Sequence, residues 1–239
     1  MYFFKNIKKS VVLACFSPPV MIATLVIELS LAVYTIVRYK LDTTGRIILA
    51  LLINLGIFQL AEYLVCTHSS VAIISSRVGY ASITLLPLLG LHLMSRLTTT
   101  KLPKGSMPVL YLLAIMFVAY FLTAAGAFDG YRCTGNYVIF QIGMRQFYVY
   151  SLYYFGLILL SIVMGVLYLR KNKTKNNRQK KIVTWMIISY AVFLVPMSIL
   201  AILNPETQAA VPSIMCGFAV ITALIYALKI APSQLNRRK

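Results

Sequence analysis

Residues 71–96, VAIISSRVGYASITLLPLLGLHLMSR, form the apolar segment around which the rest of the chain is organised. An α-helix rises about 1.5 Å per residue, so about 20 apolar residues are enough to cross a bilayer. This segment nevertheless contains Arg77, a central Pro87 and His92. A charge in hydrocarbon costs roughly 2.5–3.5 kcal/mol or more, so we expect Arg77 to face protein or water and to have a partner there.

The composition of the whole chain is also that of a membrane protein: of its 239 residues, 60% are hydrophobic and 12% are charged. Soluble domains carry about 25% charged residues. Long apolar runs recur and strand-like alternation is absent, so we predict an all-α integral membrane protein, a single bundle of seven transmembrane helices. The predicted spans are residues 11–38, 46–66, 71–95, 107–128, 146–170, 182–203 and 209–230. Residues 1–10 are predicted to be an interfacial segment that is retained, and residues 231–239 a basic cytoplasmic tail.

The net charge of +18 comes from 23 Lys and Arg residues against 5 Asp and Glu residues. Most cations lie in short segments on one side of the predicted spans, which indicates the positive-inside pattern of a membrane protein rather than nucleic-acid binding. We therefore predict an outside N-terminus and a cytoplasmic C-terminus in the inner (plasma) membrane. The N-terminal lysines lie on the other side and would fit an eighth, a re-entrant or a cleaved element. Contact with anionic lipid or a protein partner is predicted for the loop after the fifth span, with Arg170, Lys171, Lys173, Lys175, Arg178, Lys180 and Lys181.

Ionisable residues inside the spans are the first candidates for a functional site. Glu62 and Arg77 should lie at similar depth, because the loop THSS is short enough to make the second and third spans antiparallel neighbours. We predict an ion pair between them, which is either a static link between two helices or part of a ligand site. Glu28 lies deeper without an evident partner, so we expect it to be protonated and hydrogen-bonded. Asn54 and Gln59 are further polar residues within the second span.

The cysteines and histidines leave two questions open. Cys66 and Cys133 are both predicted on the outer side, where an oxidising compartment would allow a disulfide, although two free thiols fit the sequence equally well. His68 and His92 are predicted on opposite faces and cannot share a metal ion. We therefore predict no metal site and no cofactor.

A tyrosine-rich segment, residues 129–156, follows the fourth span. It fits either an interfacial aromatic belt or a cap over an outward-facing pocket formed by the second, third and fifth spans. Within it, the run VIF is predicted to be a short strand. A small or amphipathic ligand, which the nearby cations would allow to be anionic, would contact Glu62, Arg77, Tyr80, Arg145, Tyr150, Tyr153 and Tyr154.

Signatures of catalysis are missing from the sequence. There is no Ser-His-Asp set, no paired catalytic carboxylates, no phosphate-binding loop and no dinucleotide fingerprint, so we predict that the chain is not an enzyme. The seventh span has Lys229 at its cytoplasmic end and no lysine at mid-membrane, so a retinal Schiff base is not expected either.

The order of several segments resembles the seven-helix N-terminal sensory membrane domain of bacterial histidine kinases and related signalling proteins. Residues 75–93, SSRVGYASITLLPLLGLHL, are similar to the third helix of that family. Residues 148–171 and 176–199 are similar to the fifth and sixth helices, including Arg178, Gln179 and Pro196. Residues 211–232 are similar to the seventh helix.

This resemblance implies an input module that perceives something in or near the membrane and signals to a cytoplasmic output domain. Only SQLNRRK follows Pro232, so the chain would be either a stand-alone relative that acts through a partner or an excised fragment. We therefore expect a receptor-type module that binds its ligand from the outer side. The alternatives are a membrane assembly subunit without a ligand and a small proton-coupled transporter that uses Glu28 and Glu62.

Overall fold

The computed structural model describes residues 18–98, 102–133, 138–171, 177–203 and 211–237. It is mostly helical (85%) and has seven helices that are long and apolar enough to cross a membrane. The predicted helical bundle is confirmed at this level. The predicted interfacial segment, residues 1–10, lies outside the described residues, as do Lys173, Lys175 and the side chain of Arg145.

The helices follow the order that hydropathy predicts. They are α1 (Pro18–Arg38), α2 (Thr43–Thr67), α3 (Ala72–Thr98), α4 (Ser106–Thr123), α5 (Met144–Lys171), α6 (Asn177–Leu203) and α7 (Val211–Ile225). A 3₁₀ turn, Ser69–Val71, leads into α3, and a π-helical turn, Tyr226–Ile230, connects α7 to the short helix α8 (Ala231–Gln234). Strands β1 (Gly130–Cys133) and β2 (Val138–Gln141) pair antiparallel, with Tyr131 opposite Phe140. Strand β2 confirms the short strand predicted in VIF.

Several helix boundaries differ from the prediction, most of all in α4 and α6. Helix α4 ends at Thr123 rather than at residue 128, because Ala124 takes an extended backbone and the chain then turns towards the hairpin. Helix α6 begins at Asn177, so basic residues assigned to the loop form its first turns. Lys, Arg and Gln are good helix formers, and their long side chains can reach water or headgroups from inside a helix. The predicted tail likewise begins as helix α8.

Helices α2 and α3 form the centre of the bundle. In each of them 56% of the apolar window is buried inside the protein, whereas the corresponding value for α4 is 11%. Helix α4 therefore lies at the periphery and presents most of its apolar side chains outwards. Asp42 caps the N-terminus of α2 by accepting a hydrogen bond of 2.8 Å from the Gly45 amide.

The two ends of the bundle differ in character. At one end, which we call the hairpin end, α2 finishes and the β1–β2 hairpin packs. At the other, which we call the basic end, α1, α3 and α5 finish with Arg38, Arg96 and Lys171 in their last turns. The C-terminal segment is held at the basic end, because the Lys40 amide donates a hydrogen bond of 2.8 Å to the Asn236 carbonyl.

Candidate functional site

An aromatic core fills the bundle beneath the hairpin. Tyr80 of α3 is only 2% exposed, and its ring centroid lies 5.0–5.9 Å from those of Phe121, Phe128, Phe140 and Tyr150. Phe140 belongs to β2, so the hairpin contributes a ring that closes the core from above. Such ring pairs stabilise beyond the area that they bury.

Two tyrosines of α5 are tied to α3 in the same region. The Tyr153 hydroxyl donates a hydrogen bond of 2.8 Å to the Thr84 carbonyl, and the Tyr150 and Thr84 hydroxyls lie 3.2 Å apart. Aromatic packing and these hydrogen bonds hold Tyr80 and Tyr153 beneath the loop, and the contact with a ligand predicted for Tyr80, Tyr150 and Tyr153 stays a prediction. Tyr150 also borders a groove of about 260 Å³ between α4 and α5.

Arg77 caps helix α4. Its guanidinium group donates hydrogen bonds to the carbonyl oxygens of Phe121 (3.3 Å), Leu122 (2.9 Å) and Ala124 (2.8 Å). The last carbonyls of a helix have no partner within the helix, and they carry the negative end of its dipole. Arg77 therefore has a structural partner that its position in α3 did not reveal.

The predicted ion pair between Glu62 and Arg77 is wrong. No contact joins the Glu62 carboxyl group to Arg77 among the described residues, and the polar side chain beside Glu62 is Ser213. The two residues face different neighbours: Arg77 points to α4, whereas Glu62 lies beside Ser213 of α7 and within electrostatic range of Glu28 of α1. Similar depth does not make two side chains meet when they project from different sides of their helices.

Glu28 also departs from its prediction in one respect. It is fully buried, as expected, but its carboxyl oxygens have no hydrogen-bond partner among the residues that the structure describes.

The other two polar residues predicted within the second span both lie in α2. The Asn54 side-chain amide donates a hydrogen bond of 2.7 Å to the Ala50 carbonyl, and the Asn54 backbone carbonyl accepts a hydrogen bond from the Ser82 hydroxyl. Asn54 thus links α2 to α3. Gln59 is buried at 2% exposure.

A cavity lies deeper in the bundle, between α2, α3, α5, α6 and α7. Its volume is about 50 Å³, which is enough to admit water. Three tyrosines and a threonine supply its polar groups, and Pro87 forms part of its wall. The lining consists of Leu51, Leu55, Leu86, Pro87, Tyr154, Ile158, Tyr190, Phe193, Ala219, Thr222 and Tyr226.

Tyr190 is the unusual member of this lining. Its hydroxyl is buried, lies beside the Ser161 side chain, and packs against Gly90 of α3. The Thr222 hydroxyl donates a hydrogen bond of 3.1 Å to the Ser189 carbonyl. Of the predicted ligand residues, Tyr154 lies at this cavity. Tyr190, Thr222 and Tyr226 were not among the predicted ligand residues, although Thr222 and Tyr226 are four residues apart in an otherwise apolar segment, a spacing that puts both on one face.

Two further links join elements of the bundle, one covalent at the hairpin end and one a hydrogen bond between α3 and α4. Cys66 and Cys133 form a disulfide that joins the end of α2 to the hairpin. His92 shares a hydrogen bond of 2.8 Å with the Tyr111 hydroxyl and so joins α3 to α4. Within the described residues, no group of three or more His, Cys, Asp or Glu side chains could hold a metal ion.

The basic end carries a network of glutamines. The Gln179 amide of α6 donates a hydrogen bond to the Leu97 carbonyl at the end of α3, and the Gln234 amide of α8 donates to the Gln179 side-chain oxygen at 3.2 Å. Around this network, basic side chains predicted to contact lipid or a partner are exposed, namely those of Arg170, Lys171, Arg178 and Lys181, while that of Lys180 is half-buried.

Comparison of the chain with models of protein families gave no match, and comparison with curated proteins gave none either. The features of the molecule that bear on its function are the cavity, the buried carboxyl groups and the two ends of the bundle.

Proposed function

We propose that this protein is a receptor-type membrane module without catalysis of its own. It binds a small or amphipathic ligand between its helices and transmits a conformational change to a partner at its basic end. One observation carries the proposal: a cavity with several hydroxyl groups lies against Pro87, in the middle of a helix that continues to the basic end. The resemblance to the sensory domains of histidine kinases supports the same reading.

The two ends of the bundle support an orientation with the hairpin end outside and the basic end in the cytoplasm. A disulfide persists in an oxidising compartment, and Cys66–Cys133 lies at the hairpin end. Cations are enriched on the cytoplasmic side of membrane proteins, where they also attract anionic headgroups. Both features fit a multi-pass protein of the inner (plasma) membrane.

The route from the cavity to the basic end runs through α3. Pro87 has no N–H group and therefore weakens the hydrogen-bond ladder of the helix at the cavity wall. The Leu97 carbonyl, nearer the end of the same helix, is held by Gln179 of α6, which in turn binds Gln234. A ligand that favours one bend at Pro87 would shift this glutamine network, provided that it binds one arrangement more tightly than the other.

The lining of the cavity indicates the chemistry of the ligand. Its polar groups are hydroxyls, and none of its lining side chains carries a charge. Arg77, which was predicted from the sequence as a group that could bind an anion, donates its hydrogen bonds to the end of α4. We therefore propose an uncharged ligand, or the uncharged part of an amphipathic one, that exchanges hydrogen bonds with the tyrosines.

Native mass spectrometry of the protein in nanodiscs of anionic phospholipid tests this proposal. Ala219 lines the cavity and is 5% exposed, so Ala219→Leu should fill the space and lower the occupancy of a bound small molecule by about tenfold. Gly156→Ala is the matched control, because a methyl group there meets nothing within 4 Å. Occupancy that is the same in the wild type and Ala219→Leu would refute the site.

Transmission is tested separately by spin labels at Arg96 and Lys181, which are exposed at the basic ends of α3 and α6. Labelling requires a background without Cys15 and Cys216. We expect the distance distribution between the labels to differ between the wild type and Ala219→Leu, since filling the cavity acts on the wall that contains Pro87. Identical distributions would mean that the cavity is not coupled to the basic end, which would contradict the receptor mechanism.

A further inference from the structure

Two carboxyl groups are buried together between α1 and α2. Helix α1 buries one stripe of side chains, which includes Met21, Glu28, Ala32 and Thr35, and exposes most of the rest. Glu28 and Glu62 both have 0% exposure and lie within electrostatic range of each other. Neither takes part in the cavity described above.

The groups around the pair contain no compensating cation in the described part of the chain. Helices α1, α3 and α7 pack against α2, and Ser213 of α7 is the polar side chain beside Glu62. Arg77 of α3 binds the end of α4 instead. All four carboxyl oxygens are buried, and none accepts a hydrogen bond from a charged donor among these residues.

Physical chemistry decides the charge of such a pair. An ionised carboxylate that leaves water without a partner loses its hydration and gains nothing in return, so it takes up a proton instead. Two ionised carboxylates in electrostatic range would also repel each other. Burial and repulsion therefore disfavour the state in which both groups are charged in the folded bundle at neutral pH.

We propose that Glu28 and Glu62 form one proton-binding site, in which the folded protein holds at least one proton between α1 and α2. The site takes a proton as its ligand. It goes beyond the receptor function, because its chemistry does not depend on a ligand in the cavity.

Proton exchange is assigned to the hairpin end. Glu62 lies about one turn from the end of α2, next to Ser213 near the start of α7. The Ser213 hydroxyl oxygen accepts a hydrogen bond of 3.1 Å from the Val138 amide of β2, which leaves its own hydrogen available to a neighbour. Val138, Ser213 and Glu62 thus connect the hairpin to the carboxyl pair.

Infrared spectroscopy of the full chain in lipid tests the proposal directly, because a protonated carboxyl group absorbs apart from a carboxylate. The chain has only 5 acidic residues, and Asp42 and Asp129 are exposed. At pH 7 we expect a protonated-carboxyl band that weakens in Glu28→Gln and in Glu62→Gln and disappears in the double variant. Asp129→Asn and Glu206→Gln are the controls and should leave the band unchanged. A wild-type spectrum without the band, or a band that survives in a folded double variant, would overturn the site.

Labelling with a hydrophobic carbodiimide keeps the proposal testable if the double variant does not fold. This reagent adds to a protonated carboxyl group from the lipid phase, and peptide mass spectrometry locates the adduct in the wild-type protein. We expect the adduct at Glu28 or Glu62 at pH 7 and less of it when the pH is raised on the hairpin side of oriented vesicles. Adducts at neither residue would count against the proton site, and a response to the pH of the basic side alone would overturn the assigned route. The band should persist in Ala219→Leu, so this test and the cavity test fail independently.

Discussion

Replacing Arg77 by methionine should destabilise the protein by detaching α4 from α3. The side chain makes three hydrogen bonds from a charged donor to the carbonyls of Phe121, Leu122 and Ala124. At the lower end of the usual range, about 1.5 kcal/mol each, their sum is about 4–5 kcal/mol. Arg77 is half-buried, so water can reach the freed carbonyls, and we expect a net loss of about 2–3 kcal/mol.

Arg77→Lys is the informative companion variant. It keeps the positive charge near the negative end of the α4 dipole but loses the planar fork that reaches several carbonyls at once. We expect it to recover about half of the loss caused by Arg77→Met. If charge alone mattered, the lysine variant would be as stable as the wild type.

The assay is reversible unfolding in mixed micelles titrated with a denaturing detergent. Its signals are circular dichroism and the fluorescence of Trp185, the single tryptophan. A double-mutant cycle with Glu62→Gln separates the observed geometry from an ion pair. The observed geometry predicts a coupling energy within about 0.5 kcal/mol of zero, whereas breaking a buried pair costs about 3–5 kcal/mol. Coupling above about 1.5 kcal/mol, or an Arg77→Met variant as stable as the wild type, would refute the capping role.

The remaining predictions concern the disulfide, the cavity wall and the basic end. Replacing Cys66 and Cys133 by serine releases a link across a sequence separation of 67 residues, so stability should fall by up to about 4 kcal/mol and trypsin should cleave the hairpin faster. Gly90→Ala places a methyl group against a cavity tyrosine hydroxyl and should lower the melting temperature by overpacking, whereas Gly156→Ala has free space and should raise it slightly. Gln179→Leu should cost about 1–2 kcal/mol of unfolding free energy, since it removes both side-chain bonds of the basic-end network.

The number and order of the helices were predictable because hydropathy measures the property that a bilayer demands. A span needs about 20 apolar residues, and each of the seven segments meets that condition. The strand in VIF was predictable for a similar reason, since β-branched and aromatic residues favour extended backbone. Helix ends were less predictable: α4 stops at Thr123 although apolar residues continue to Phe128.

The partners of the polar residues could not be predicted from the sequence. Depth follows from the position of a residue along its helix, but the direction of a side chain follows from how that helix is rotated against its neighbours. Helix α2 is apolar on every side and contacts α1, α3 and α7, so hydropathy does not indicate which neighbour Glu62 faces. The carbonyls that bind Arg77 are backbone groups, which no side-chain pattern reports.

The contact of Arg77 with α4 changes the explanation of the two buried acids, Glu28 and Glu62. If Arg77 paired with Glu62, both residues would be explained as a link between helices. With Arg77 bound to α4, Glu28 and Glu62 are buried carboxyl groups that contribute no salt bridge within the described residues. Such groups cost stability, so replacing both by glutamine should leave the free energy of unfolding unchanged or raise it at neutral pH. The stability of the wild type should fall as the pH rises, because the folded protein must then give up a proton that the unfolded chain has already released. The double variant should not show this fall.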